Sequence, residues 1–249
     1  MSWQAGWPHP GPWLIAHRGD SARFPENTLP AFAAAIEAGV DAIELDLHRS
    51  AGGELVVIHD DELARTTGAR GRVGEWTMDA LRRLDAGSWR GAAHAGTRLP
   101  LLGEVLDLAR GRVAVCVELK EPFAAHPDLS AAVLIEARRH HLLDTVLLLA
   151  FDHEHLRAAR AANPEAVTVA LTTLRPRDPA ALLGDLQANA LGAHWPVVDA
   201  PMCAAIHAAG GAVLAWTVDD VDSARRLVGG GVDGIVTNCP GDLAPCWPR

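Results

Sequence analysis

Short apolar runs alternate along the chain with stretches in which apolar residues recur every three or four positions. Runs of this kind are typical of buried strands, and the stretches between them are typical of helices that cover a sheet. The runs predict eight strands, at residues 13–17, 42–47, 113–119, 145–151, 167–171, 190–193, 212–217 and 234–237. The pattern therefore predicts a repeating unit of strand and helix along the whole chain.

Some of the predicted helices have recognisable ends. Asn27 or Thr28 is a suitable first residue for the first helix, and Gly39 is a suitable end. Asp178 followed by Pro179 provides a cap and a first-turn proline for a later helix. These signals support the alternation of strands and helices.

Eight strand and helix units in 249 residues match the size of a closed (β/α)8 barrel, the TIM barrel. We expect one domain over residues 1–249. A doubly wound open sheet is the alternative architecture. Such a sheet more often has about five to seven strands and a glycine-rich phosphate loop, and this sequence has no such loop.

The interval between the second and third predicted strands, from residue 47 to residue 113, is longer than the others. An additional strand is predicted at residues 54–59. A polar segment rich in arginine and glycine follows at residues 62–97, with one helical patch at 77–84. We interpret about 60–97 as a small insertion after the second barrel strand, on the face where barrel loops build active sites.

Composition limits the functional classes. Apolar residues make up 49% of the chain, yet no apolar run approaches the roughly 18 residues that span a bilayer. Residues Met1 to Pro12 lack the pattern of a secretory signal, so we expect a soluble, cytoplasmic protein without stable membrane insertion. The formal charge of −9 argues against nonspecific binding to nucleic acid. The four cysteines have no metal-ligand spacing, and disulfides are not expected.

Ionisable residues collect at the predicted carboxyl ends of neighbouring strands, where barrel enzymes carry their active sites. They are His17 and Arg18 on the first strand, Glu44 and Asp46 on the second, Glu118 and Lys120 on the third, and His59 on the additional strand. Each of them alone could have a structural role, such as a salt bridge at the barrel mouth. Their concentration at adjacent strand ends favours a shared chemical function.

The carboxylates predict a metal site. Glu44 and Asp46 are two residues apart on one strand, so their side chains share a face and repel each other. A bound cation would relieve this repulsion. Together with Glu118 they offer oxygen ligands only, which suit Mg²⁺ or Ca²⁺ better than Zn²⁺. We therefore expect one divalent cation.

Lys120 is the only lysine in the chain. A lysine on the same strand face as Glu118 suits a phosphate or a tuned proton site, although codon bias could leave a single lysine by chance. Arg18 and Lys120 are candidates for binding an anion. His17 and His59 are candidates for moving protons near neutral pH. A cation, two anion-binding side chains and two histidines indicate the cleavage of a phosphate ester.

Two other interpretations stay open from these residues. A barrel glycosidase could use Glu44 and Glu118 as a carboxylate pair, but it leaves the cations and the histidines unexplained. A non-enzymatic binding module on a degenerate barrel would need none of the ionisable set.

At these residues the chain resembles the glycerophosphodiester phosphodiesterase family. The matching stretches follow the family's order between about residues 13 and 241: Ala16-His17-Arg18-Gly19, Pro25-Glu26-Asn27-Thr28, Glu44-Leu45-Asp46-Leu47, Val56-Val57-Ile58-His59-Asp60, Arg65-Thr66-Thr67, Glu118-Leu119-Lys120, Trp216-Thr217-Val218 and Asp233-Gly234-Ile235-Val236-Thr237. The family is similar in fold, a (β/α)8 barrel with a small insertion after the second strand.

The resemblance implies hydrolysis of a small-molecule glycerophosphodiester to glycerol 3-phosphate and an alcohol, with a divalent cation. Members of the family are thought to use the neighbouring glycerol hydroxyl of the substrate as nucleophile, through a cyclic phosphate that water then opens. His17 would be the general base and His59 the general acid. The resemblance assigns the metal to Glu44, Asp46 and Glu118, the phosphate to Arg18 and Lys120, and the glycerol or leaving-group side to Trp216, which could also only pack the rim.

An alternative within the same chemistry is a lysophospholipase D-like activity on single-chain phospholipids. It needs an apolar surface for an acyl chain, and Trp76, Trp89 and the insertion are candidates for that surface. The sequence does not identify the alcohol, the choice between Mg²⁺ and Ca²⁺, or the oligomeric state.

Two stretches depart from the family pattern. Val218-Asp219 stands where the family often has Val-Asn, and Asn238 stands where it often has Asp. We expect both positions to lie outside the metal and histidine set and to affect the choice of substrate. Asn27 could cap the first helix or contact substrate, and capping is the preferred interpretation.

Overall fold

The computed structural model describes residues 11–247, so most of the segment Met1 to Pro12 lies outside the described residues. Within this range the strands are β1 (Trp13–His17), β2 (Ala42–Arg49), β3 (Leu55–Val57), β4 (Ala114–Leu119), β5 (Val146–Ala150), β6 (Val167–Thr172), β7 (Ala190–His194), β8 (Ala212–Trp216) and β9 (Gly234–Thr237). They agree with the predicted strands to within about two residues at most ends.

Helices connect the strands. They are α1 (Leu29–Glu37), α2 (Ala64–Thr67), α3 (Met78–Leu81), α4 (Leu102–Ala109), α5 (Leu129–Arg139), α6 (Glu154–Ala162), α7 (Pro179–Leu186), α8 (Ala200–Ala208), α9 (Val221–Gly229) and α10 (Pro240–Leu243), with short 3₁₀ turns at Val73–Glu75, Ala92–His94, Trp195–Val197 and Ala244–Cys246. Asp178 caps α7 as expected, because its carboxylate accepts a hydrogen bond from the Ala181 amide at 2.9 Å. Across residues 11–247, none of the helices has both the length and the apolar character to cross a membrane.

Eight parallel strands form the closed barrel that the sequence predicts. The order is β1-β2-β4-β5-β6-β7-β8-β9, and β9 pairs with β1 to close the ring. The open doubly wound sheet is therefore wrong. Strand β3 stands outside the ring, antiparallel to the last residues of β2.

The alternation of side chains along each strand separates two apolar layers. Every second side chain of a strand faces the inside of the barrel. The interior residues include Trp13, Ile15, Cys116 and Leu147. The others face outward and pack against the ring of helices. Toward the carboxyl ends of β1, β2 and β4 the inward-facing positions change from apolar to ionisable residues, and this change creates the site described below.

The insertion after β2 has a small apolar core of its own. This core comprises Val56, Ile58, Leu63, Val73, Met78, Leu81, Ala86 and Leu99. The helical patch predicted at 77–84 forms only the single turn α3. Strand β2 continues past Glu44, its last residue paired with β1, and there pairs Leu47 with Val57 and Arg49 with Leu55 of β3. The pairing with β3 brings His59 back over the barrel mouth.

Gly19 shapes the turn that follows β1. Its φ is +82°, a left-handed conformation that side chains disfavour. A Cβ atom at this position would lie 2.6 Å from the carbonyl carbon of Ala31, which belongs to α1. The turn after β1 therefore packs directly against α1, and a side chain at position 19 would not fit between them.

We expect Gly19→Ala to destabilise the fold by about 2–5 kcal/mol, because the left-handed backbone and the clash add. Gly53→Ala is a matched control, since Gly53 has φ +88° and a Cβ atom added there would meet nothing within 4 Å. The control should lose only about 1–2 kcal/mol. Urea denaturation of both variants measures the difference, and equal losses would show that the contact with α1 is not limiting.

Candidate active site at the barrel mouth

Neighbouring strands bring the predicted ionisable residues together. In the sheet register His17 on β1 lies beside Glu44 on β2, and Asp46 on β2 lies beside Glu118 on β4. All four side chains point into the mouth because they occupy alternate positions on their strands. The predicted set therefore occupies one side of the mouth.

The three carboxylates are buried and crowded. Each of Glu44, Asp46 and Glu118 offers an oxygen within 4.8 Å of the others, and their exposures are 2%, 0% and 9%. Burial raises the pKa of Glu44 well above its usual value, and the charges of Asp46 and Glu118 raise it further. Burial and Asp46 also raise the pKa of Glu118.

This donor set fits a hard divalent cation. The ligand atoms are all carboxylate oxygens, and Asp46 Oδ1 is buried without accepting a hydrogen bond. Lys120 Nζ lies 3.6 Å from this oxygen, too far for a hydrogen bond, so the oxygen is free to ligate a metal ion. The residues that are present therefore suit a cation such as Mg²⁺ or Ca²⁺.

Two cationic side chains flank the carboxylates. Arg18 donates its backbone N–H to Glu44 Oε2 at 3.0 Å, and its Nε lies 3.0 Å from Asp46 Oδ2. Lys120 Nζ donates to Glu118 Oε1 at 2.8 Å and lies 3.6 Å from Asp46 Oδ1. Burial alone would raise the pKa of Asp46, but Arg18 and Lys120 outweigh it and lower that pKa.

The interpretation of Asn27 as the cap of the first helix is wrong. Thr28 is the N-cap of α1, and Asn27 adopts a left-handed conformation with φ +56° just before it. Its side-chain amide donates to Asp46 Oδ2 at 2.8 Å, and its carbonyl oxygen accepts the Asp46 backbone N–H at 3.2 Å. Asn27 thus orients one of the candidate metal ligands and is 2% exposed.

A chain of hydrogen bonds connects His59 to Arg18 at the end of β1 through three residues for which no role was predicted. His59 Nδ1 lies 2.6 Å from Asp60 Oδ1, and Asp60 in turn accepts a hydrogen bond from Arg65. Arg65 donates twice to Glu26, at 2.8 and 2.9 Å, and Glu26 accepts from Arg18. The stretches that carry the resemblance contain these residues, but only the structure shows that they form one network.

His17 and His59 lie on the two sides of the carboxylates. Burial and Arg18 lower the pKa of His17. The pKa of His59 is also lowered, chiefly by burial. Asp46 and the hydrogen bond to Asp60 oppose this effect, and the charges of Arg18 and Lys120 add to it. His59 Nε2 lies 3.1 Å from Lys120 Nζ. Both rings therefore favour the neutral form.

One expectation about the departures is wrong. Asn238 does not lie outside the histidine set, because its Oδ1 is 2.7 Å from His17 Nδ1. Asp219 in turn accepts from the Asn238 side chain at 2.8 Å. The contact joins β1 to the residue after β9, and only closure of the barrel brings these distant positions together.

The other side of the mouth is apolar. Trp216 lines the central cavity, of about 160 Å³, together with Leu149, Phe151, Leu171 and Leu214. The rings of Phe151 and Trp216 meet edge to face with centroids 5.7 Å apart. A wider groove of about 1050 Å³ on the insertion side shares His59 and Lys120 with the cavity. Trp76 and Trp89 line neither space.

Comparison with known proteins agrees with this site. Residues 17–242 match the model of the glycerophosphoryl diester phosphodiesterase family. The chain belongs to this family. It is 32% identical over 231 residues to the glycerophosphodiester phosphodiesterase of Caldanaerobacter subterraneus, a match that covers 92% of this chain and 95% of the relative. The protein is thus an enzyme of the phosphoric diester hydrolase class.

Solved structures agree in fold. A phosphodiesterase from Oleispira antarctica, in complex with the product sn-glycerol-3-phosphate, has 30% sequence identity and a TM-score of 0.90, and the match covers 95% of this chain and 98% of that chain. A putative glycerophosphoryl diester phosphodiesterase from Silicibacter pomeroyi has 30% identity and a TM-score of 0.87, with coverage of 98% and 96%.

The raised pKa of Glu44 predicts that cation binding releases protons. A carboxyl with a raised pKa holds its proton more strongly than a free one, and a cation must displace that proton, so affinity should rise with pH. Titration calorimetry with Ca²⁺ in two buffers of different ionisation enthalpy should show release of up to about one proton.

Glu44→Gln should abolish most of this proton release and weaken binding. Glu165→Gln is the control, because Glu165 is exposed and remote from the mouth. Proton release that is unchanged in Glu44→Gln would contradict this account of the carboxylates.

Proposed function

We propose that the protein hydrolyses a glycerophosphodiester to glycerol 3-phosphate and an alcohol with one divalent cation, Mg²⁺ or Ca²⁺. The observation that carries the proposal is the meeting of three buried carboxylates, two cationic side chains and two histidines at one side of the mouth. Neither a glycosidase nor a binding module accounts for all of them. The family membership and the product complex of the Oleispira antarctica neighbour support the same chemistry.

Glu44, Asp46 and Glu118 would hold the cation. When bound, the ion supplies positive charge that stabilises the phosphate as negative charge develops on its oxygens. Asn27 keeps Asp46 oriented toward this position through two hydrogen bonds. The carboxylates need this second layer of contacts because their mutual repulsion would otherwise drive them apart.

Arg18 and Lys120 would bind the phosphate. Glu26 holds the guanidinium of Arg18 at 2.9 Å, and Glu118 holds the ammonium of Lys120 at 2.8 Å, so both cations are in place before substrate arrives. Prepositioned charges stabilise a phosphoryl transition state more than mobile ones, since little reorganisation is needed.

His17 would act as general base and His59 as general acid. His17 Nε2 takes the proton of the glycerol hydroxyl that attacks phosphorus. The bond from phosphorus to the alcohol oxygen breaks as His59 protonates that oxygen, which requires the imidazolium form of His59. The negative charges of the bound phosphate and of Asp60, 2.6 Å from His59 Nδ1, would favour that form. Water then opens the cyclic phosphate: His59 takes the proton of the water, and His17 returns its proton to the glycerol oxygen. An intramolecular hydroxyl is an effective nucleophile because its effective concentration is high.

The cavity and the groove suggest how the substrate lies. His59 and Lys120 line both spaces, so a phosphate beside them would extend into each. The glycerol part would lie in the smaller cavity against Trp216. The alcohol would then lie in the groove on the insertion side, where His59 can protonate it as it leaves.

Metal-stripped protein should release glycerol 3-phosphate from glycerophosphodiesters only after Mg²⁺ or Ca²⁺ is added. His17→Ala and His59→Ala should each reduce turnover by about 10²–10⁴-fold, because each removes a proton-transfer group. An enzymatic assay for glycerol 3-phosphate over a panel of glycerophosphodiesters measures both effects.

His207→Ala is the matched control. His207 Nε2 is hydrogen-bonded to Asp233 Oδ2 at 2.8 Å, and His207 lines neither the cavity nor the groove. Near-normal turnover in both His17→Ala and His59→Ala would refute the acid and base roles. Equal turnover with and without a chelator would refute the metal dependence.

Lys120→Arg should reduce kcat by about tenfold or more although the charge is kept. Its ammonium lies within 3.6 Å of Glu118, Asp46 and His59, a spacing that a planar guanidinium does not fit. Lys120→Met, which removes the charge, should lose more than Lys120→Arg. Full activity of Lys120→Arg under saturating metal would show that the identity of the cation at this position is unimportant.

One observation favours single-chain phospholipids as a second substrate class. Phe151 and Leu174 are exposed by 43% and 75%, and Phe151 also borders the cavity beside Trp216. Apolar surface at this rim could receive an acyl chain. Activity on a lysophospholipid that rises at its micelle concentration would support this alternative, and activity on soluble diesters alone would exclude it.

A further inference from the structure

The ring nitrogen of His17 that faces away from the cavity has a defined partner. His17 Nδ1 lies 2.7 Å from Asn238 Oδ1, and Ser21 Oγ approaches the same oxygen at 3.0 Å. A neutral imidazole carries its proton on one nitrogen only, and the proton position decides which nitrogen can accept another proton. The chemistry of this contact therefore determines whether His17 can act as a base.

Asp219 determines the orientation of the Asn238 amide. The carboxylate accepts the Asn238 backbone N–H at 2.7 Å, the Asn238 side-chain Nδ2–H at 2.8 Å and the Thr237 hydroxyl at 3.0 Å. An ionised carboxylate can only accept hydrogen bonds. The donating end of the Asn238 amide must therefore face Asp219, and its carbonyl oxygen must face His17.

We propose that Asp219 and Asn238 are positioning residues that set the tautomer of His17. The amide oxygen accepts only, so His17 must carry its proton on Nδ1 and leave Nε2 free. In catalysis this free Nε2 is the atom that takes the proton of the attacking hydroxyl. The catalytic consequence rests on the base role proposed above, whereas the tautomer itself does not.

The arrangement differs from ordinary turn stabilisation. Asparagine at position 219 would accept hydrogen bonds from the Thr237 hydroxyl and the Asn238 backbone N–H through its side-chain carbonyl oxygen, so the turn after β9 would survive. What asparagine cannot do is present a second acceptor to Asn238 Nδ2. The carboxylate is therefore required for the amide orientation and not for the turn.

Asp219→Asn tests the proposal. The Nδ2–H₂ group of the new asparagine would face the Nδ2–H₂ group of Asn238, and two donors cannot form a hydrogen bond. The Asn238 side chain would therefore rotate to present its oxygen to residue 219 and its N–H to His17. We expect His17 to change from the Nδ1–H to the Nε2–H tautomer. Long-range ¹⁵N–¹H NMR correlation of histidine-labelled protein with Mg²⁺ distinguishes the two forms, and His17→Ala identifies the His17 signals.

The kinetic effect should be on turnover. We expect kcat for glycerol 3-phosphate release to fall by about tenfold or more with little change in KM, since the wrong tautomer of a catalytic histidine can reduce turnover by up to about 10⁴-fold. The double variant Asp219→Asn with Asn238→Asp should restore the Nδ1–H tautomer and most of the activity. In it the carboxylate at position 238 accepts both from His17 and from the amide at position 219.

Asp222→Asn is the matched control. Its carboxylate is 95% exposed, and the same change there should alter neither the tautomer nor kcat. An unchanged His17 tautomer in Asp219→Asn, or a double variant that folds but stays in the Nε2–H form, would overturn the proposal. A tautomer that switches while kcat is unchanged would leave the positioning intact and refute the base role of His17.

Discussion

Three buried carboxylates at the end of two adjacent strands are the constraint on which the rest of the site depends. Glu44, Asp46 and Glu118 repel each other at close range, so the fold tolerates them only with positive charge and hydrogen-bond donors around them. Arg18 and Lys120 provide the charge, and the Asn27 side chain donates one hydrogen bond to Asp46. In the proposed function the carboxylates would hold a metal ion, and the two cations that balance them would also bind the phosphate.

Strand order explains why the mouth has two different sides. Strands β1, β2 and β4 are consecutive in the ring, and they carry the ionisable residues. Strands β5 to β9 complete the ring, and among them β5, β6 and β8 carry Leu149, Leu171 and Trp216, which line the cavity. A substrate that enters the mouth therefore meets charge on one side and apolar surface on the other, which suits a molecule with a phosphate and a carbon skeleton.

The strand ends could be predicted from the sequence because they follow from period-two alternation and the size of the barrel. The contacts of Asn27 and Asn238 could not. Asn27 lies in the loop between β1 and α1, and its partner Asp46 is 19 positions away on β2. Asn238 meets His17 only because β9 pairs with β1 across 221 positions of sequence. Pairings that depend on closure of the ring leave no local signal.

The insertion after β2 has an apolar core that is separate from the two layers of the barrel. Segments with their own contacts can open locally at a lower free energy than the whole fold. His59 follows β3 on this segment, whereas His17 is on a strand of the ring. The two histidines therefore differ in how much of the molecule must unfold to displace them. The backbone around His59 can undergo hydrogen exchange while that of β1 stays protected.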